Sequence, residues 1–229
     1  MRRFPTLCID DFYKNPDEVR KFALQQDFCN TSQDWPGKRT KLLDEIDPYF
    51  FKMFCEKLFS IYYDFSSPVE WTILTTFQLV PSFSSDVNSP KNLGFVHKDD
   101  YEINGLRVCY AGIIYLTPNI NKNCGTSIFR CKKNITDDFY DIPVKENFYG
   151  KGIDTDFDKY MTIERNKFEE TIRFDNIYNR MISFDSSSFH GVNSFYSDKE
   201  PRLTQPFFVA KIENKSGFPL ERSDKRNIL

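Results

Sequence analysis

Two histidines are all this chain contains, and each sits in sequence that reads as β-strand. His97 lies in GFVHKDD with a carboxylate two residues on at Asp99, and His190 lies far downstream in FDSSSFHGVNSFY. Strand side chains repeat every second residue, so an H-x-D pair at a strand end presents ring and carboxylate on one face. A second, distant strand can bring His190 to the same point. Two imidazoles and one carboxylate are the ligand types that hold a mononuclear Fe(II) on one octahedral face and leave three positions open for oxygen and a co-substrate. H-x-D spacing is common by itself, so the assignment depends on its surroundings. Asp100 is the rival ligand, and strand alternation turns it away from His97. Asp185, in the Asp/Ser cluster before His190, reads as a turn residue.

A second chemistry-bearing pair follows twelve residues after His190, in PRLTQPFF. Arg202 and Thr204 share one face of a strand there. A guanidinium fork takes a carboxylate through two parallel hydrogen bonds, and a hydroxyl two residues on adds a third. A charged head in an apolar run is costly unless a partner neutralises it. That partner is either an incoming anion or an Asp or Glu of the chain, and the sequence leaves both open.

The elements that must position these groups are mostly strands. From about residue 69 onward VEWTILTTFQLVP, GFVHKDD, RVCYAGIIYLTP, TSIFRCKK, RMISFD, HGVNSFY and RLTQPFFVAKIE are rich in β-branched and aromatic residues and broken by Pro, Asn and Gly clusters. Many short strands of this kind predict a sandwich or barrel. Ahead of them NPDEVRKFALQQ predicts a helix capped by Asn15, with Pro16 in the first turn, Glu18 at the capping-box position, and Val19, Phe22 and Ala23 as its buried stripe. DPYFFKMFCEKLFSIYYDF predicts a second helix, capped by Asp47, with Phe51, Phe54, Cys55, Leu58 and Tyr62 at helical spacing. QDWPGKRT between them reads as loop. The charged stretch at about 137–180 reads as an insertion carrying a helix.

Composition narrows the function classes. The net charge of −2 is interspersed, so no basic field exists to attract nucleic acid, and the terminal ERSDKRNIL reads as a solvated tail. No run of ~18 apolar residues or signal-like segment is present, which predicts a soluble cytoplasmic protein without membrane contact. Six cysteines lack any C-x-x-C spacing, which argues against zinc and thioredoxin-type sites and predicts small buried hydrophobes. A single domain over 1–229 is expected, with 1–68 as a helical buttress and 69–213 as the β core.

Taken in order, HKD at 97–99, YAGIIYLTP, GTSIFR, and FDSSSFHG followed by RLT resemble the Fe(II)/2-oxoglutarate-dependent dioxygenases, most closely their prolyl-4-hydroxylase-like branch, over residues 70–212. The resemblance implies a double-stranded β-helix, or jelly-roll barrel, with iron and 2-oxoglutarate at its open end. It implies that His97, Asp99 and His190 ligate the metal and that no further catalytic residue is needed beyond that centre. It implies that Arg202, with Thr204, pairs with the distal carboxylate of 2-oxoglutarate and that Tyr115 bonds the same group, Tyr110 being the rival. O2 would be the oxidant, ascorbate a reductant, and the second substrate a peptidyl residue, an amino acid or a small metabolite. CGTSIF departs from the commoner double glycine by placing Cys124 before Gly125. Two other readings stay open: a cupin-like metal enzyme that does not use 2-oxoglutarate, and a non-catalytic jelly-roll binding module.

Overall fold

The structure is a computed structural model that describes residues 4–30, 35–63, 65, 68–132, 148–149 and 157–214. Among these residues the strands form a larger and a smaller antiparallel sheet, with helices packed on the outer face of the larger one.

The larger sheet runs in the order β1 (Leu7–Ile9), β10 (Met181–Asp185), β7 (Tyr110–Tyr115), β12 (Arg202–Asn214), β4 (Gln78–Val80) and β2 (Lys38–Arg39), with β3 (Val69–Thr75) also on β12. β12 is its spine. One edge pairs with β7 over Thr204–Val209; the other pairs first with β4 over Arg202–Thr204 and then with β3 from Phe207 onward. Pro206 has no N–H to give a ladder. Its carbonyl accepts from Thr76 N, so its nitrogen side also faces the break between β3 and β4, where no ladder partner is needed.

The smaller sheet is β11 (Phe189–Val192), β8 (Thr126–Cys131) and β9 (Phe168–Phe174), and β5 (Glu102–Ile103) with β6 (Leu106–Arg107) forms a separate hairpin. The segment Gly94–His97 runs antiparallel along β11, with Gly94 N bonded to Val192 O and His97 and His190 exchanging both backbone bonds. The close approach requires two glycines: a Cβ on Gly94 would lie 2.7 Å from Val192 N, and one on Gly191 would lie 2.8 Å from Phe95 O.

Strand alternation separates two interiors. From β12, Leu203, Phe207 and Val209 face the helices, and Arg202, Pro206 and Phe208 face a cavity between the sheets. The helix α1 (Pro16–Leu24), the short α2 (Leu43–Ile46) and α3 (Pro48–Phe59) cover the outer face. α3 buries Phe54, Cys55, Leu58 and Phe59, and Tyr62 just beyond its end, against Phe207, Val209 and Met181. The expected stripe is met at Phe54, Cys55, Leu58 and Tyr62, and Phe51 is only partly buried at its margin. In α1, Ala23 is buried, and Val19 and Phe22 pack on the same core.

Five expectations need correction. Asn15 makes no side-chain cap bond to α1, so the capping box does not form. QDWPGKRT is not all loop: Lys38–Arg39 pairs with β4. GFVHKDD forms only the single bridge at His97. The 137–180 stretch carries α4 (Phe157–Asn166), but Phe168–Phe174 is a strand of the smaller sheet; residues 137–147 and 150–156 lie outside the described residues. The cysteines are not uniformly buried, since Cys8 and Cys29 are exposed. No described helix is long and apolar enough to cross a membrane.

Candidate active site

His97 and His190 face each other across the Gly94–His97 and β11 bridge, with ring centroids 4.3 Å apart. Asp99 reaches the same point. Its two oxygens lie 3.6 Å from His97 Nε2 and 3.2 Å from His190 Nε2. Donors about 2.1 Å from one ion and at right angles to each other lie roughly 3 Å apart, so these separations suit three neighbouring positions on one octahedral face. The ligand atoms all lie within 4.8 Å of one another.

The backbone sets the orientation of each donor. His97 Nδ1 lies 3.0 Å from the Phe95 carbonyl and His190 Nδ1 lies 3.0 Å from the Ser188 carbonyl. A carbonyl only accepts, so each Nδ1 carries the proton and each Nε2 turns a lone pair inward, the arrangement that fixes a metal-ligating imidazole. The Asp99 backbone is held by its N–H to Ser186 O at 3.0 Å, and the Ser186 hydroxyl donates in turn to Val108 O. Asp100 points elsewhere and pairs with the Arg107 guanidinium, which holds its carboxyl below the usual range. Asp185 makes the expected turn, accepting from the Ser187 N–H and hydroxyl.

A cavity of about 430 Å³ opens over the triad, a volume suited to a small organic ligand. Arg202 lines it and is fully buried. Its Nε donates to the Cys124 carbonyl at 2.8 Å and its guanidinium stands 5.4 Å from the Tyr115 ring centre, but one terminal nitrogen is buried without a partner. No carboxylate among the described residues pairs with it. Burial pulls its pKa below the ordinary arginine value, with Tyr115 and Cys124 opposing. Thr204 presents a second buried orphan, its hydroxyl. The internal salt bridge left open by the sequence is therefore absent among the described residues, and two unsatisfied polar groups, Arg202 lining the cavity and Thr204 two residues on along the same strand, stand close together. Buried orphans of this kind are uncommon and point to a missing partner.

The two tyrosines sit five positions apart on β7 and so face opposite ways. Tyr115 is on the cavity side, its hydroxyl donating to Thr126 Oγ1 at 3.0 Å. Tyr110 is on the helix side, stacked on Phe4 at 4.6 Å.

Cys124 is explained by its position. Its side chain is buried with Sγ on the Tyr196 carbonyl, and its own carbonyl accepts from both Arg202 and Asn176. The glycine that follows cannot be replaced: a Cβ at Gly125 would lie 1.9 Å from Phe174 O.

Sequence reading missed Arg39, which enters the cavity from β2. Its guanidinium lies 4.0 Å from the Trp35 ring centre and 5.7 Å from that of Phe208, and its buried Nε has no partner. The run Trp-Pro-Gly-Lys-Arg carried the only signal, a turn followed by two residues too short to show a period. Arg165 was missed as well. From α4 it donates to the Gly94 carbonyl at 2.6 Å, and so clamps the segment leading to His97.

A family model described as "Family of unknown function (DUF6445)" matches residues 2–194. The chain belongs to DUF6445. No curated protein matches this DUF6445 chain in sequence. Among solved structures it is similar to a prolyl hydroxylase from Trichoplax adhaerens in complex with a hypoxia inducible factor oxygen degradation domain peptide fragment, with TM-score 0.53 and 16% identity over 90% of this chain and 83% of that one. It is also similar to HygX from Streptomyces hygroscopicus with nickel, 2-oxoglutarate and hygromycin B bound, with TM-score 0.51 and 11% identity over 90% and 82%. At these identities the likeness is one of fold. The DUF6445 chain has the jelly-roll fold of the prolyl-hydroxylase-like 2-oxoglutarate/Fe(II) oxygenases.

Proposed function

We propose that this protein is an Fe(II)/2-oxoglutarate-dependent oxygenase that couples oxidative decarboxylation of 2-oxoglutarate to hydroxylation of a second substrate. One observation carries the reading: a fully buried guanidinium, Arg202, without a carboxylate partner among the described residues, lines the same cavity as a two-histidine, one-carboxylate cluster.

The donors fit the metal. His97 and His190 would hold it through Nε2 and Asp99 through a carboxylate oxygen, with the Phe95 and Ser188 carbonyls keeping both rings in the ligating tautomer. The far end of the cavity fits a carboxylate, which would complete the hydrogen bonding of Arg202 and Thr204, with Tyr115 beside them. Bound there, iron supplies oxidation of the second substrate by O2, while the oxo acid leaves as succinate and carbon dioxide. The protein orients the co-substrate by its distal carboxylate, keeps water from that end by burial, and holds the three ligands on one side so that the rest stay accessible. Neighbours with this fold are recorded with a peptide in one case and with hygromycin B in another, so the second substrate is a peptidyl residue, an amino acid or a small metabolite.

The test is succinate release from 2-oxoglutarate by the Fe(II)-loaded protein with ascorbate as reductant, beside calorimetric binding of Mn(II) and 2-oxoglutarate. Arg202→Gln is expected to weaken 2-oxoglutarate by roughly 100-fold, the scale of a lost buried charge-assisted contact of about 3 kcal/mol, and to leave Mn(II) binding intact. His97→Ala is expected to abolish both. Metal binding without any affinity for 2-oxoglutarate would favour a cupin-like enzyme, and absence of metal binding a non-catalytic module.

A further inference from the structure

Two guanidiniums line the cavity, the fully buried Arg202 and the half-buried Arg39, and a single oxo acid accounts for one. Arg202 stands by Tyr115, and Thr204 faces that tyrosine across the β7–β12 ladder; Arg39 lies over Phe208, which faces Ala111 in the same ladder. The Arg39 backbone lies opposite Gln78, which lies opposite Thr204, so the two arginines start at nearly the same level on either side of β4. Their guanidiniums then part, that of Arg202 toward Tyr115 and that of Arg39 toward Phe208.

Nothing among the described residues satisfies Arg39. No carboxylate is within ion-pair distance, its Nε is a buried orphan, and the aromatic faces of Trp35 and Phe208 sandwich it without accepting a conventional hydrogen bond. The charge nearest in influence among the carboxylates is Asp99, which is committed to the triad. Desolvation pulls the Arg39 pKa down to about 10, with Tyr101 and Asp99 opposing, so the group is still a cation at neutral pH. Around it Trp35, Tyr101, Phe184 and Phe208 give this end of the cavity an apolar lining.

We infer that the second substrate carries an anionic group, a carboxylate in the simplest case, next to an apolar body, and that Arg39 is the specificity residue that pairs with that anion while Trp35 and Phe208 hold the guanidinium in place. The inference rests on the oxygenase reading above and adds the substrate class to it.

The experiment uses Trp35 as its reporter. The chain has two tryptophans, and Trp71 packs on Phe59 away from the cavity, so a Trp71→Phe background isolates the emission of Trp35. Protein loaded with Mn(II) and saturated with 2-oxoglutarate is titrated with benzoate and with its neutral isostere benzamide. Benzoate is expected to change the emission saturably and to bind at least about tenfold tighter than benzamide, the scale of one charge-assisted contact. Arg39→Gln is expected to erase that preference and Arg39→Lys to keep part of it, both with 2-oxoglutarate affinity within about twofold of the parent, as expected for a residue off the co-substrate site. Equal binding of the two probes overturns the proposal, and so does a preference that survives Arg39→Gln. A loss of 2-oxoglutarate affinity in Arg39→Gln as large as that in Arg202→Gln also overturns it, because Arg39 would then serve the co-substrate. If the parent protein does not bind 2-oxoglutarate, the oxygenase reading fails separately, and the same titrations on an Arg202→Gln background without 2-oxoglutarate still decide whether Arg39 binds anions.

Discussion

Asp99 and Asp100 are adjacent in sequence and have opposite surroundings: Asp99 is buried between two imidazoles, and Asp100 is on the surface with Arg107. Charge alone therefore cannot explain a difference between them. Asp99→Asn is expected to weaken Mn(II) binding by at least about 100-fold, since it removes the only anionic ligand among the described donors. Asp100→Asn breaks an exposed, solvent-screened pair and is expected to leave metal affinity unchanged; calorimetry on both variants reads the contrast. Cys124 makes a second test at this scale. Burial pushes its thiol from 9.0 up to about 11. The folded protein therefore keeps the proton that the unfolded chain gives up near 9, and this contribution to stability is present below 9 and lost as the pH rises from 9 toward 11. Iodoacetamide at pH 9 is expected to label the exposed Cys29 in the native protein and to spare Cys124 until denaturant is added, which peptide mass mapping would show.

At the scale of elements, two helix caps that look alike in sequence differ in space. Asp47 accepts from the Tyr49 and Phe50 N–H groups, whereas Asn15 bonds neither. Asp47→Ala is expected to cost about 1 kcal/mol, a fall in melting temperature of roughly 2–4 °C, and Asn15→Ala much less; thermal denaturation by circular dichroism distinguishes them. The comparison also marks what could be read in advance. Both helices were legible because Pro48 and Pro16 follow polar residues and because apolar residues recur at helical spacing, but cap geometry depends on backbone angles that the residue types do not fix. The convergence of His97, Asp99 and His190 was legible because the chain has only two imidazoles and one of them begins an H-x-D spacing. β9 was hidden, because most of FEETIRF is exposed and its charges mask a strand that lies at the edge of the smaller sheet. β2 was hidden because its two residues pair with a strand some forty positions away. Arg165 belongs to the same hidden class, since its role appears only once α4 meets Gly94. Arg165→Ala removes a charge-assisted bond of about 1.5–3 kcal/mol from the segment that carries His97. The expected result is a folded protein with Mn(II) affinity lowered roughly tenfold, partly restored by Arg165→Lys, as measured by calorimetry.

For the molecule as a whole, the two interiors divide the work. The core between helices and larger sheet is packed with aromatic rings, Phe54 against Phe12 and Phe207 among them, and supplies apolar burial. The cavity between the sheets gives up packing for space and keeps Arg202, Thr204 and Arg39 underpartnered. Stability left out of the second interior should return when its ligands bind, and the return should come in separable parts. A ligand at 100 times its dissociation constant stabilises the native state by about 2.7 kcal/mol, which for a chain of this size raises the melting temperature by roughly 5–10 °C. Mn(II) alone is expected to give one such increment and 2-oxoglutarate, added after the metal, a second. Arg202→Gln should keep the first and lose the second; His97→Ala should lose both, because under the proposed function the co-substrate needs the ion as well as the arginine. Phe54→Ala should lower the starting temperature, by the about 3–5 kcal/mol of a large-to-small core change, and leave both increments in place. If the core substitution instead removed the ligand increments, the two interiors would not be separate. The outer helical layer would then have to be counted as part of the site.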